Sequence, residues 1–194
     1  IASQRYSWNW RYYIMSELYF LDLDTRNCSY AHCDEHVIEM VPKYTQYLAT
    51  AHYIHNKDSR ITKAAEDYVL SLNNSDVVKW VSENTSNYQW THDLWFWLHK
   101  EFWFRYDEMH EIWEKLYNKL SHKPDGIKEG ELTCPPLTIA SGFQVEGLED
   151  DIQNTIEGYR NYYIKWTKDK NAKWGGIVEN MRQPPNWIVE YANV

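Results

Sequence analysis

The chain has 194 residues, 43% of them hydrophobic and 25% charged, with a formal net charge of −8, which suits one ordinary globular core. No apolar run approaches the ~20 residues that span a bilayer, and mean hydropathy is −0.72, so no membrane helix and a cytoplasmic location are expected. Overall acidity argues against strong non-specific DNA binding, and an odd count of three cysteines suits reduced thiols rather than a disulfide framework.

Ring content is what departs from the ordinary: 11 Trp and 16 Tyr. Each large ring can bury roughly 150–250 Å², so the abundance speaks first of core packing. Ile1–Ile14 reads as an extension before a single domain spanning 15–194 that starts at Met15. Glu17–Leu23 is short, aromatic and apolar, predicting one strand, and Asp22 and Asp24 at its end supply a helix N-cap. Val37, Met40, Val41, Tyr44, Tyr47, Leu48 and Ala51 then recur at helical spacing, with Pro42 expected to kink or divide the stretch from Thr25 to His55. A third helix is predicted over Thr62–Leu72, and Ser75 is placed to cap a fourth over Asp76–Glu83.

From Ser86 a long helix should reach Tyr106, carrying Tyr88, Trp95, Phe96, Phe102 and Trp103, with another over about Glu108–Leu120. Six prolines and glycines between Pro124 and Gly142, followed by Gly147, make 121–147 an irregular segment and a candidate lid. Leu148–Trp166 reads as the last long helix before a tail broken by Gly175, Gly176, Pro184 and Pro185. The expected fold is therefore all-α or nearly so, six to eight helices with one short N-terminal strand. Trp95, Phe102 and Trp103 should lie in its core.

Three constellations could carry chemistry. His36, Glu39, Lys43 and Gln46 fall at 0°, 300°, 340° and 280° on an unbroken helix, a polar stripe about 80° wide. Such a stripe can read a base or a phosphate, or be a solvated face with one i,i+4 ion pair. Asn87, Glu101 and Arg105 fall within about 40° on the long aromatic helix. There they form either a polar pocket or an outer-face ion pair. Residues 159–174 hold five basic side chains and one acidic, a local +4, interleaved with Tyr and Trp. Cations beside rings suit a nucleic-acid strand, whereas a helix with core rings and solvated lysines explains the same letters. The eight histidines form no His-Glu-x-x-His motif, and neither a phosphate loop nor a nucleophile elbow is present. No metal or cofactor is expected.

Segments across the chain resemble a family of small proteins encoded by bacteriophages and other environmental viruses. They are Phe20-Leu-Asp with Cys33-Asp-Glu-His36-Val-Ile-Glu-Met40, Gln46, Leu48 and Ala51-His52; Asn87-Tyr88-x-Trp90 with Glu101, Arg105-Tyr106 and His110; and Tyr159-Arg-Asn-Tyr-Tyr163 with Lys173-Trp174 and Pro185-x-Trp187. The family pattern has Lys where Glu39 stands and Glu where Lys43 stands, so this chain reverses those charges. Some of these proteins are similar to pyrimidine-dimer DNA glycosylases or to glycosylase-like proteins of thymine hypermodification. The resemblance implies an enzyme acting in the host cytoplasm on a pyrimidine base in DNA. In that reading Glu101 is general base or cation stabiliser and His36 a proton donor. Gln46, Asn87, Arg105, Arg160, Asn161, Tyr163 and Lys173 would bind DNA or a nucleotide. The alternative is a non-enzymatic binding protein or homo-oligomeric scaffold that uses exposed rings as anchors.

Overall fold

A computed structural model of the chain describes residues 18–70, 75–148, 150–177 and 182–192. Among them are eight α-helices and no strand: α1 (Thr25–Ala31), α2 (Asp34–His55), α3 (Arg60–Ala64), α4 (Asp76–Glu83), α5 (Thr85–Tyr106), α6 (Glu111–Leu120), α7 (Asp151–Lys170) and α8 (Asn186–Ala192). The two 22-residue helices α2 and α5 pack on each other at the centre, with α1 and α4 also against α5.

Helix starts follow the caps. Asp24 accepts from the Asn27 N–H at 2.8 Å, and Asn84 accepts from the N–H groups of Ser86 and Asn87 at 2.9 and 3.0 Å, filling donors that an N-terminus leaves unpaired. Asn84 rather than Ser86 therefore opens the long helix. Pro42 does not divide α2, which runs through it. The break falls instead at His32–Cys33, where the Cys33 N–H is taken by the Tyr163 hydroxyl at 2.9 Å and the Asp34 N–H by the Lys173 carbonyl at 2.8 Å. Tertiary acceptors end α1 there, while burial of Val37, Val41, Tyr44 and Leu48 against α5 outweighs the bond lost at Pro42. The third helix is also shorter than predicted, ending at Ala64 before a 3-10 turn at Glu66–Tyr68.

The expected N-terminal strand is not formed by Leu18–Leu23; Glu17 and Ile1–Ile14 lie outside the described residues. A strand needs a ladder partner, and none is available in an all-helical core. Side chains supply the bonds instead. The Tyr44 hydroxyl accepts from the Tyr19 N–H at 3.4 Å, the Cys28 thiol donates to the Tyr19 carbonyl at 3.4 Å, and the Trp90 Nε1–H donates to the Leu23 carbonyl at 2.9 Å. The irregular segment 121–147 is held similarly. The Trp80 Nε1–H reaches the Thr133 carbonyl at 3.1 Å, and the Tyr159 hydroxyl donates to the Pro136 carbonyl at 2.7 Å.

Burial separates the three rings expected in the core. Trp95 is fully buried, with its Nε1–H on Thr45 Oγ1 at 2.8 Å. Phe102 is only partly buried, and Trp103 is 51% exposed because it sits on the outward side of α5. Trp95→Ala should therefore cost about 3–5 kcal/mol, and Trp103→Ala no more than about 0.5 kcal/mol. Urea denaturation of both variants measures the difference, and equal losses would contradict this assignment of the core.

Candidate functional site

His36 sits one turn into α2 and is 1% exposed. Its Nδ1 lies 2.9 Å from the Tyr163 hydroxyl and its Nε2 3.2 Å from the Tyr19 hydroxyl. The ring stacks on Tyr19, with centroids 4.3 Å apart, and on Trp166 at 4.0 Å. Burial first, then the positive neighbourhood of His32 and Lys43, holds its pKa well below the ordinary histidine value. A neutral imidazole between two hydroxyls is satisfied in either tautomer. It ties α7 to α2, and Tyr163, fully buried, belongs to the same knot.

Glu101 and Arg105 are likewise enclosed, at 2% and 0% exposure. Arg105 donates through Nε to Glu101 Oε2 at 3.1 Å and through Nη1 to Asp34 Oδ1 at 3.0 Å. The second Asp34 oxygen accepts from the Gly175 and Gly176 N–H groups at 2.8 and 3.0 Å. Glu101 also receives a fork from Arg182, Nε at 2.9 Å and Nη2 at 2.5 Å. Two guanidinium groups and two carboxylates thus neutralise one another inside the fold, the arrangement that makes buried charge tolerable. Gly176, at φ +62°, passes so close to the end of α5 that a Cβ there would meet the Arg105 carbonyl oxygen at 2.3 Å. Glycine is required at that crossing.

The other expected site residues fall elsewhere. Asn87 is fully buried and pins the irregular segment, donating to the Trp80 carbonyl at 3.0 Å and Thr133 Oγ1 at 2.9 Å and accepting from the Thr133 N–H at 3.0 Å. Gln46 is half-buried on α2, while Asn161 and Lys173 are exposed. On α7 the rings of Tyr159, Tyr163 and Trp166 face the core, and Lys165, Lys168 and Lys170 face solvent. Lys165, Lys168 and Lys170 of the +4 segment are therefore turned away from the buried rings of α7. Glu39 is half-buried, and its carboxyl is pushed up by burial and then by Glu35.

Arg160 alone of the expected residues lines a cleft of about 520 Å³ between α1, α7 and the chain at 182–187. Its guanidinium donates to the Leu21 carbonyl at 2.9 Å, Glu157 at 2.9 Å and Asp22 at 3.2 Å, and lies 5.4 Å from the Trp187 ring centroid. Across the cleft Arg182 lies 4.1 Å over the Tyr30 ring and 4.5 Å over Phe104. Asn27 and Gln183 add amides to the wall. The ionised lining groups are two arginines and one aspartate, a local +1 in a chain of −8. Sequence reasoning missed Asp22, Tyr30, Arg182 and Gln183 because they are scattered between a capping turn and a Gly/Pro-broken tail. The available signal was Arg182 and Trp187 flanking Pro184-Pro185, a rigid pair suited to holding both side chains.

Among the described residues, no three His, Cys, Asp or Glu side chains are grouped to hold a metal ion, and no helix is long and apolar enough to cross a membrane. No protein-family model, curated protein or solved structure matches the chain.

Burial also gives the histidines a pH signature. It lowers His32 and His52 to about 4 and His99 to about 3, from 6.5. Below pH 6.5 the unfolded chain then binds more protons than the folded one. Stability should be full above that pH and fall as pH drops from about 6.5 to 4, by up to ~1.4 kcal/mol per pH unit for each histidine. Melting temperatures across this window measure the slope, and a flat profile would contradict neutral burial.

Proposed function

We propose that this protein is a virus-encoded DNA-directed protein that receives one pyrimidine nucleotide unit in the cleft between α1, α7 and residues 182–187. The observation that carries this reading is the joint presence of two guanidinium groups and two aromatic rings, Tyr30 and Trp187, in the lining of a space of about 520 Å³. That volume is typical of small-ligand sites. Guanidinium forks suit phosphate, and aromatic rings that line a cleft suit a base. The bonds to Glu101 use two of the five N–H groups of Arg182, leaving donors for a phosphate oxygen.

The base-directed chemistry moves, in this reading, from Glu101 to Asp22. Both carboxylates are ion-paired, Glu101 with Arg105 and Arg182 and Asp22 with Arg160, but Glu101 is enclosed whereas the Asp22 side chain is 31% exposed on the cleft wall. When the N-glycosidic bond breaks, the base leaves with the electron pair and takes a proton from solvent. A carboxylate beside the sugar stabilises the cation left behind, and water then adds at the anomeric carbon and loses a proton. His36 takes no part, since it is sealed behind Tyr19, Tyr163 and Trp166.

Titration of tryptophan fluorescence with short single-stranded oligothymidylate tests the site. Trp187→Leu should weaken binding about 5- to 150-fold, from the loss of roughly 1–3 kcal/mol of stacking. Arg182→Gln should reduce the salt slope by about one. Asp22→Asn should leave binding intact and abolish any release of base. No binding at low salt, or binding indifferent to both Trp187→Leu and Arg182→Gln, would reject the cleft as a nucleotide site.

A further inference from the structure

The outward face of α5 is aromatic where a lone domain would be polar. Gln89, Asp93, Phe96, Trp97, Lys100 and Phe104 fall within an arc of about 100°, and none of them is buried. Trp103 borders that arc, and with Phe104 at 43% it shows a large part of its ring to solvent. Such a stripe marks an interaction surface, and the charges on it indicate the partner. The Asp93 side chain is 45% exposed and accepts from Gln89 at 2.8 Å and His92 at 3.2 Å. The Lys100 ammonium lies over rings, 4.9 Å from the centroid of Trp113 and 5.3 Å from that of Phe96. On α5 itself one negative and one positive group thus stand two helical turns apart, with Phe96 and Trp97 midway between them. Phe96 leans on Trp113 and Tyr117 of α6, and the Arg26 guanidinium of α1 lies 4.8 Å from the Trp97 centroid, at the flank of the stripe.

We infer that a second copy of this chain docks on this face, the two α5 helices running antiparallel and crossing between Phe96 and Trp97. In that register Asp93 of each copy opposes Lys100 of the other, so the stripe is complementary to itself under a two-fold axis. The seven-residue separation is about 10.5 Å of rise, so each charged pair lies roughly 5 Å from the crossing. At a crossing angle of about 20°, the sideways displacement there is under ~2 Å, well within the reach of a lysine. The rings at the centre supply the buried apolar contact and the two ion pairs fix its direction. This surface is separate from the cleft and does not rest on the nucleotide reading.

Sedimentation velocity over about 1–200 µM protein tests the pairing with three samples. The unmodified chain should be dimeric at the upper end of the range. Asp93→Lys alone and Lys100→Asp alone should each be monomeric, because each places like charges opposite one another. An equimolar mixture of the two variants should dimerise again, since the introduced charges then oppose their complements. Neither position is buried, and far-UV circular dichroism should be unchanged. A monomeric unmodified chain would overturn the proposal, whether residues 1–17 or a different protein occupies the face. Dimers untouched by either substitution, or a mixture that stays monomeric, would overturn it equally.

Discussion

A guanidinium with no exposure to water has to be neutralised where it stands, and Arg105 is such a group. Its needs organise much of the molecule. Glu101, one turn back on α5, takes one side of the fork, and Asp34, the first residue of α2, takes the other. Asp34 then gathers the chain at Gly175 and Gly176, and Glu101 gathers Arg182. The central helix pair and the segment beyond α7 are thus joined through four charges. Without them, nothing among these contacts would bring Arg182 to the mouth of the cleft.

The aromatic interior acts by a second route, through the polar tips of its rings. Trp80, Trp90, Trp174, Tyr88 and Tyr159 each place a donor on a backbone carbonyl outside regular hydrogen-bonded structure or at its edge. A phenylalanine would fill nearly the same space and leave those carbonyls unpaired, at the cost of a buried unsatisfied acceptor. Rings with polar tips let long irregular stretches lie against a helical core without a sheet. This accounts for Trp or Tyr rather than Phe at those five positions.

Local signals carried most of the helix assignment. Ser75 and Asp24 cap where their types predict, and the apolar period marks α2 and α5. Pro42 misled because propensity knows nothing of α5 packed on the same stretch, and Leu18–Leu23 misled because period and ring content cannot report a missing ladder partner. At the site, helical spacing correctly put Glu101 beside Arg105 but could not see Asp34 and Arg182 closing over them. The cleft draws single residues from positions 22, 30, 160, 182 and 187, and no periodicity links such distances along a chain. Arg160 was reachable because it stands out on a ring-rich helix; Arg182 had no such setting.

The crossing of Gly176 over the end of α5 bears on how this fold could be recognised in a diverged sequence. Core side chains without a polar tip, such as Phe20 and Leu48, can be exchanged for other apolar groups of similar volume at modest cost, so they are poor markers of descent. A backbone that comes within bonding reach of another backbone tolerates no such exchange. The durable signature is a spaced pattern of small and charged letters: an aspartate opening the second helix, a glutamate and an arginine four apart near the end of the central one, and a glycine pair some seventy residues later.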